Sequence, residues 1–269
     1  NSAHVIKGGL QKEGGRIFKG GLVVIQFAIS ICLLVISLVI ISQIRFMEEK
    51  DLGFEQQNVV ILRGLEAHRA NRMAFANSIA QLSQVEQVSW NTGEPAGNSL
   101  WIYTYQTPQM EREVTLHTFR GDHRYLDVMG FHLLKGRNFS SELASDTASV
   151  ILNESAVGEL MLGDDPIGKE VNPGVHVIGV VSDFHFESLR NEVAPAVISY
   201  AADGYQLAVK VRAGQSAAFI EHASALWNKF SPDDPLAFHF VSDNYDALLT
   251  DEGRLMNALL VFTCIAIFI

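Results

Sequence analysis

The 269-residue sequence predicts an α+β extracytoplasmic domain anchored by flanking transmembrane helices. Three observations predict it: long apolar runs toward both ends of the chain, a change from basic to acidic charge across the first run, and β-α-β patterning on either side of a β-rich centre.

The first run, Leu22 to Ile41, reads LVVIQFAISICLLVISLVII and carries no charge. At about 1.5 Å per residue it covers roughly 30 Å, the thickness of bilayer hydrocarbon, so residues 21–44 are assigned to a transmembrane helix. A helix buried in a soluble domain seldom stays apolar on every face for so long. A cleaved signal peptide would end in small residues rather than Gln43, Ile44, Arg45 and Phe46. Gln26, Ser30 and Ser37 share one face of this helix, and polar groups in hydrocarbon seek partners, so that face is expected to pack on other spanning helices at roughly 1 kcal/mol or less per contact. The absence of a charge at mid-membrane argues against an ion or proton path along the helix. The second run, Leu255 to Ile269, is also uncharged but rises only about 22 Å. Residues 255–269 are therefore expected to be a truncated transmembrane helix, and the chain a fragment of a longer protein.

Charge sets the orientation. Lys7, Lys12, Arg16 and Lys19 stand against Glu13 before the first run, whereas Arg45, Glu48, Glu49, Lys50 and Asp51 after it sum to a negative charge. Short basic segments stay in the cytoplasm, so residues 1–20 form a cytoplasmic leader and the large domain lies across the membrane. With a net charge of −10 for the whole chain, the leader leaves the remainder at −13. A domain of that charge is repelled by nucleic acid and by anionic lipid surfaces. Both cysteines, Cys32 and Cys264, fall within the apolar runs, so no disulfide can staple the exported domain and a hydrophobic core must hold it.

Residues 45–57 are expected to continue the first helix as a stalk, ending at the DLGF sequence where Gly53 supplies a C-terminal cap. In the core domain, 58–242, a strand is expected at Asn58–Leu62, an amphipathic helix over Glu66–Leu82 with Met73, Phe75, Ile79 and Leu82 facing the core, and a strand at Val85–Trp90. After the loop Asn91–Ser99, two-residue alternation predicts strands at Trp101–Gln106 and Glu113–Phe119. Helical turns at His123–Met129 and Glu154–Met161 alternate with extended runs at Ser149–Leu152 and His176–Val181. A second β-α-β unit follows: Gln206–Arg212, Ser216–Phe230 and Leu236–Val241. The pattern predicts a β-α-β lobe and a β-rich second lobe. Residues 243–254 form a second stalk, in which Leu248 and Leu249 are expected to pack against Phe46 of the first.

No constellation predicts chemistry in this domain. GDDPIGK, Gly163 to Lys169, has the spacing of a phosphate-binding loop, but Glu170 stands where Ser or Thr should bind magnesium and Pro166 lacks a needed N–H, so a turn is expected. Asp183 and His185 would share one side of an extended segment, yet no second pair completes a metal site, and structural hydrogen bonding is the expected role. No G-x-S-x-G turn is present, and Asp233, Asp234, Asp243 and Asp246 are expected at solvated loop ends. No catalytic residue, cofactor or metal is predicted. A membrane-anchored hydrolase is thus the weakest reading, and a sensor with an extracytoplasmic ligand-binding domain is the main alternative to a permease.

The ordered set LVVIQFAISICLL, DLGF (Asp51 to Phe54), YLDVMGFHLLKGRNFS (Tyr125 to Ser140), VILNESAV through GDDPIGKEV (Val150 to Val171) and VIGVVSDFHFESLR (Val177 to Arg190) resembles the MacB/FtsX-like permeases of ABC transporters, in particular the second half of Bacteroidetes-type tandem permeases. The resemblance implies a periplasmic core domain with a porter-like lobe between two inner-membrane helices, in a non-enzymatic export or efflux permease. It further implies a cytoplasmic ABC ATPase as partner, a second permease unit, and a periplasmic adaptor. ATP is then hydrolysed elsewhere, and the permease passes the movement outward through its stalks.

Overall fold

The computed structural model describes residues 20–21, 23–43, 52–68, 70–97, 101–187, 191–245, 258, 261–263 and 265. The chain divides into two compact units, Asn1–Lys50 with Leu249–Ile269, and Asp51–Leu248.

In the first unit, helix α1 (Val23–Gln43) is long and apolar enough to cross a membrane, with a mean hydropathy of 2.9. Ser30 and Ser37 are buried and Gln26, Leu33 and Ile40 half-buried along one face, while most other side chains of the helix are exposed. The Ser37 hydroxyl donates to the Leu33 carbonyl at 2.8 Å and lies 3.5 Å from the Thr263 hydroxyl. Thr263 belongs to the second apolar run, where residues 258, 261–263 and 265 are helical.

In the second unit, β1 (Val59–Arg63) leads through a 3-10 turn, Leu65–His68, to α2 (Arg72–Ala80) and β2 (Val85–Thr92). The middle of the chain forms β3 (Trp101–Tyr105), β4 (Val114–Gly121), α3 (Tyr125–Met129), β5 (Leu133–Gly136), β6 (Ser149–Asn153), α4 (Glu154–Glu159), β7 (Glu170–Asn172), β8 (Val175–Val181) and β9 (Ala196–Tyr200). Strand β10 (Gln206–Val211), helix α5 (Ser216–Phe230) and strand β11 (Ala237–Phe240) complete it.

The two β-α-β units interleave. Strands run in the order β11-β1-β10-β2, all neighbours antiparallel, so each helix crosses between strands separated by one from the other unit. This is the split β-α-β arrangement, with everything from β3 to β9 inserted between its halves. Helices α2 and α5 cover one face. Phe219, Ala223 and Trp227 recur every four residues on α5 and meet Val60, Leu62, Phe75 and Ile79, with the Phe75 and Trp227 rings edge-on at 4.9 Å.

The second lobe extends the same sheet through β4-β9-β6-β8-β5, with β3 on β4 and β7 on β8. The lobes share a sheet, but β2 and β4 meet only at Asn91–Gly121 and Thr92–Arg120. The second core gathers Leu116, Val150, Leu152, Leu160, Val177 and Val197.

Some expected details differ. The predicted helix over Glu66–Leu82 splits, because Gly64, at φ +79°, turns the chain so that Leu65 fills the core at once, and the helix proper begins only after Asn71. Met73 is 52% exposed, because Phe75, Ala76 and Ile79 define the buried face and Met73 lies on the other side. Strands β5, β7 and β9 stand outside the predicted set. Val241 begins a helical segment, Val241–Tyr245, rather than ending a strand. Phe46, Leu248 and Leu249 lie outside the described residues.

Candidate functional site

The polar centre of the domain is Glu94, just after β2 in the loop that enters the second lobe. Its side chain is fully buried, whereas the Arg63 side chain that pairs with it at 2.8 Å is 41% exposed. The Nε2 of His239 lies 3.1 Å from the same carboxylate oxygen. Gln206 donates to the other oxygen at 2.6 Å, and Asn244 reaches the first at 3.4 Å. Arg63 also donates to the Gln206 side-chain carbonyl at 3.3 Å. Burial pushes the Glu94 pKa up, but the hydrogen bond and charge of His239 and the Arg63 guanidinium outweigh it and hold the carboxyl below its ordinary value. Glu94 is thus an anion kept inside the fold by donors from β1, β10, β11 and the Val241–Tyr245 segment.

The loop that carries Glu94 is fastened to the second lobe and to α3. The Ala96 amide donates to the Phe186 carbonyl at 3.1 Å, and the buried Tyr125 hydroxyl donates to the Gly93 carbonyl at 2.8 Å. Asp122 adds a second tie between lobes by accepting from the Ser89 hydroxyl at 2.8 Å and the Trp90 amide at 2.9 Å.

The segments that enter and leave the domain dock at different places, the entry where the two lobes meet and the exit on the first lobe. At the entry, Leu52 and Phe54 are buried, the His185 amide donates to the Leu52 carbonyl at 2.8 Å, and the Glu55 amide donates to the Met129 carbonyl at 2.7 Å. His185 follows β8 of the second lobe, whereas Met129 ends α3, which packs on β2 and β10 of the first; nearby, Phe119, Phe131, Phe184 and Phe186 pack ring against ring. At the exit, Val241 and Tyr245 are buried, and Asn244 reaches Glu94, which the first lobe surrounds.

The motifs singled out in the sequence take structural positions. Gly163–Lys169 is a loop followed by a strand, without the helix a phosphate cradle needs, and the Lys169 ammonium is held by the Leu162 carbonyl. Asp183 accepts from the Ser155 amide and hydroxyl at 2.9 and 2.7 Å, at the start of α4. Asp234 pairs with His68 at 3.3 Å, and Asp243 accepts from the Phe240 amide at 3.3 Å. Among the described residues no group of three or more His, Cys, Asp and Glu side chains could hold a metal ion. Glu94 escaped sequence reading because it sits in a Gly- and Pro-rich loop that predicts solvent exposure, and its partners come from sites up to 150 residues away. Only the isolated acid within an otherwise uncharged loop hinted at it.

A split β-α-β lobe with a β-rich insertion, preceded in the chain by a membrane-length helix, defines the class of α+β domain to which this chain's second unit belongs. Residues 21–224 match the family described as MacB-like periplasmic core domain, and the chain belongs to that family. The resemblance to MacB/FtsX-like permeases seen in the sequence is therefore borne out. Among solved structures, the periplasmic region of MacB from Actinobacillus actinomycetemcomitans aligns with a TM-score of 0.52 at 18% identity, over 74% of this chain and 96% of that one. The extracellular domain of the noncanonic ABC-type transporter YknZ from Gram-positive bacteria aligns at 0.47 and 18%, over 68% and 99%. A domain of a permease protein from Porphyromonas gingivalis aligns at 0.43 and 16%, over 68% and 88%. No curated protein matches the sequence.

Proposed function

We infer that the chain is part of an ABC-type export permease and that its domain is moved by ATP hydrolysed on a separate cytoplasmic subunit. The observation that carries this reading is that the two connectors dock at different places: the entry segment on the second-lobe loop at His185 and on α3 at Met129, the exit segment on the first lobe through Asn244 and Glu94. A change in the relative position of two membrane helices would then open or close the narrow β2–β4 junction, because packed lobes move as bodies about a few weak contacts. The relatives' descriptions as MacB and as an ABC-type transporter support the assignment. The proposed setting is the inner membrane with the domain in the periplasm, beside a second permease unit, a cytoplasmic ABC ATPase and a periplasmic adaptor. Phe46, Leu248 and Leu249 are proposed to pack the stalks, and Gln26, Ser30 and Ser37 to pack helices within the bilayer.

The test needs no knowledge of the cargo. Spin labels at Met73→Cys and Met161→Cys, both exposed and on different lobes, are placed in the full-length permease, with Cys32 and Cys264 replaced, and reconstituted with its ATPase. The distance distribution shifts on trapping the ATPase with vanadate, and Phe46→Pro abolishes the shift while ATP turnover continues. A distribution indifferent to the nucleotide state overturns the reading.

A further inference from the structure

We propose that the cleft beside the Glu94 hub binds a neutral saccharide. The cleft has a volume of about 470 Å³ and lies between β1, β2, β3 and the start of β10. Trp101 and Tyr205 line it, 43% and 53% exposed. The chain has three tryptophans, and Trp90 and Trp227 are buried, so Trp101 is the one that meets water. Along β3 the aromatic surface continues past the cleft, because the Tyr103 ring lies 6.5 Å from that of Trp101 and within 16° of parallel. That spacing is the two-residue repeat of a strand. Solvated aromatic rings in series, one of them inside a concavity, offer flat apolar faces to a ligand made of repeating rings.

The polar groups of the cleft select among such ligands. Arg63 presents its guanidinium there, but its charge is balanced by buried Glu94, and the exposed carboxylate of Glu66 is the other charge of the lining. An anion therefore finds no net attraction. The lining offers acceptors in Glu66, donors in the Arg63 guanidinium, and both in the Thr92 and Tyr205 hydroxyls. A proline-rich peptide, which also favours aromatic grooves, presents chiefly carbonyl acceptors and would leave the Glu66 carboxylate facing them. Sugar hydroxyls donate and accept at every position, so a polyhydroxylated ring satisfies the whole lining while its C–H face covers indole or phenol.

The test uses the full chain in lipid nanodiscs, which avoids detergents with sugar headgroups. Maltotriose, cellotriose and triacetylchitotriose are titrated by calorimetry and by iodide quenching of tryptophan emission, alongside a proline-rich decapeptide and oligolysine. Saturable binding of at least one saccharide, with loss of quenching at Trp101, is expected. Trp101→Ala and Tyr205→Ala should each weaken it about tenfold, the equivalent of roughly 1.4 kcal/mol, with unchanged thermal unfolding. Retention on insoluble chitin or cellulose would assign the glycan to a polymer, and binding of free trisaccharide alone would assign it to a soluble sugar. Binding of a peptide in place of every saccharide, equal binding by both variants, or no saturable binding overturns the proposal. Each readout is independent of ATP, so it stands or falls separately from the transporter assignment.

Discussion

Gly53 packs so closely on the chain of Asp183 that a Cβ there would come within 2.5 Å of the Asp183 carbonyl oxygen. Its φ of +79° adds a left-handed conformation that a side chain resists. The glycine of DLGF thus lets the entry segment lie flat against the second lobe.

Gly53→Ala should therefore destabilise the domain by about 2 kcal/mol, combining backbone strain with displacement of a neighbour. Thermal unfolding of the full chain measures it. An unchanged midpoint would mean that the entry segment is not docked as described.

Replacing Glu94 by Gln leaves Arg63 without its buried counter-charge and sets an amide N–H₂ among the donors that surround it. The expected cost is about 3 kcal/mol at neutral pH. The pH dependence has a definite sign. Glu94 is held below its ordinary value of 4.5, so its contribution is fully present above that value and is lost as pH falls through the lower folded value. Denaturant titrations across that acid range should show a slope in the wild type that is reduced in Glu94→Gln.

Asp146 tests a second buried carboxylate, remote from the hub. Arg137 grips it with two hydrogen bonds of 2.7 and 2.8 Å, and the Ser140 amide donates at 2.8 Å. The Arg137 hydrogen bond leads in holding its carboxyl below the usual range, with the Ser140 amide and the Arg137 charge adding to it against burial. Asp146→Asn should cost about 2 kcal/mol, read from the urea midpoint. The loss should shrink as pH falls below the ordinary Asp value and vanish only below the lowered folded value, where the wild-type carboxylate is itself protonated.

Helix α2 offers an internal contrast. Phe75→Ala removes a fully buried ring packed on Trp227 and Phe230 and should cost about 4 kcal/mol. Met73→Ala, two residues away on the solvent side, should stay within about 0.5 kcal/mol. Equal effects from the two would contradict the helix orientation.

Much of the fold was legible because its signals are local. Periodicity placed α5 at its observed bounds, and composition placed α1. Strand β9 went unseen because Ala196, Val197 and Ile198 are buried between β4 and β6 and show no alternation, and Pro195 before them looks like part of a loop. Edge strand β5 has four exposed residues and no buried face to mark it.

The sequence by itself determined the membrane-length helix, the acidic charge of the domain, the paired β-α-β units and the family, since each follows from neighbouring residues or from ordered motifs. Tertiary structure alone decided that the two units interleave in one sheet, that the connectors dock at different places on the domain, and that Glu94 becomes a buried anion. The reason is physical. A strand's partner and a carboxylate's burial depend on groups far away in the chain, and only closure of the sheet around Glu94 brings Arg63, Gln206, His239 and Asn244 within reach of one side chain.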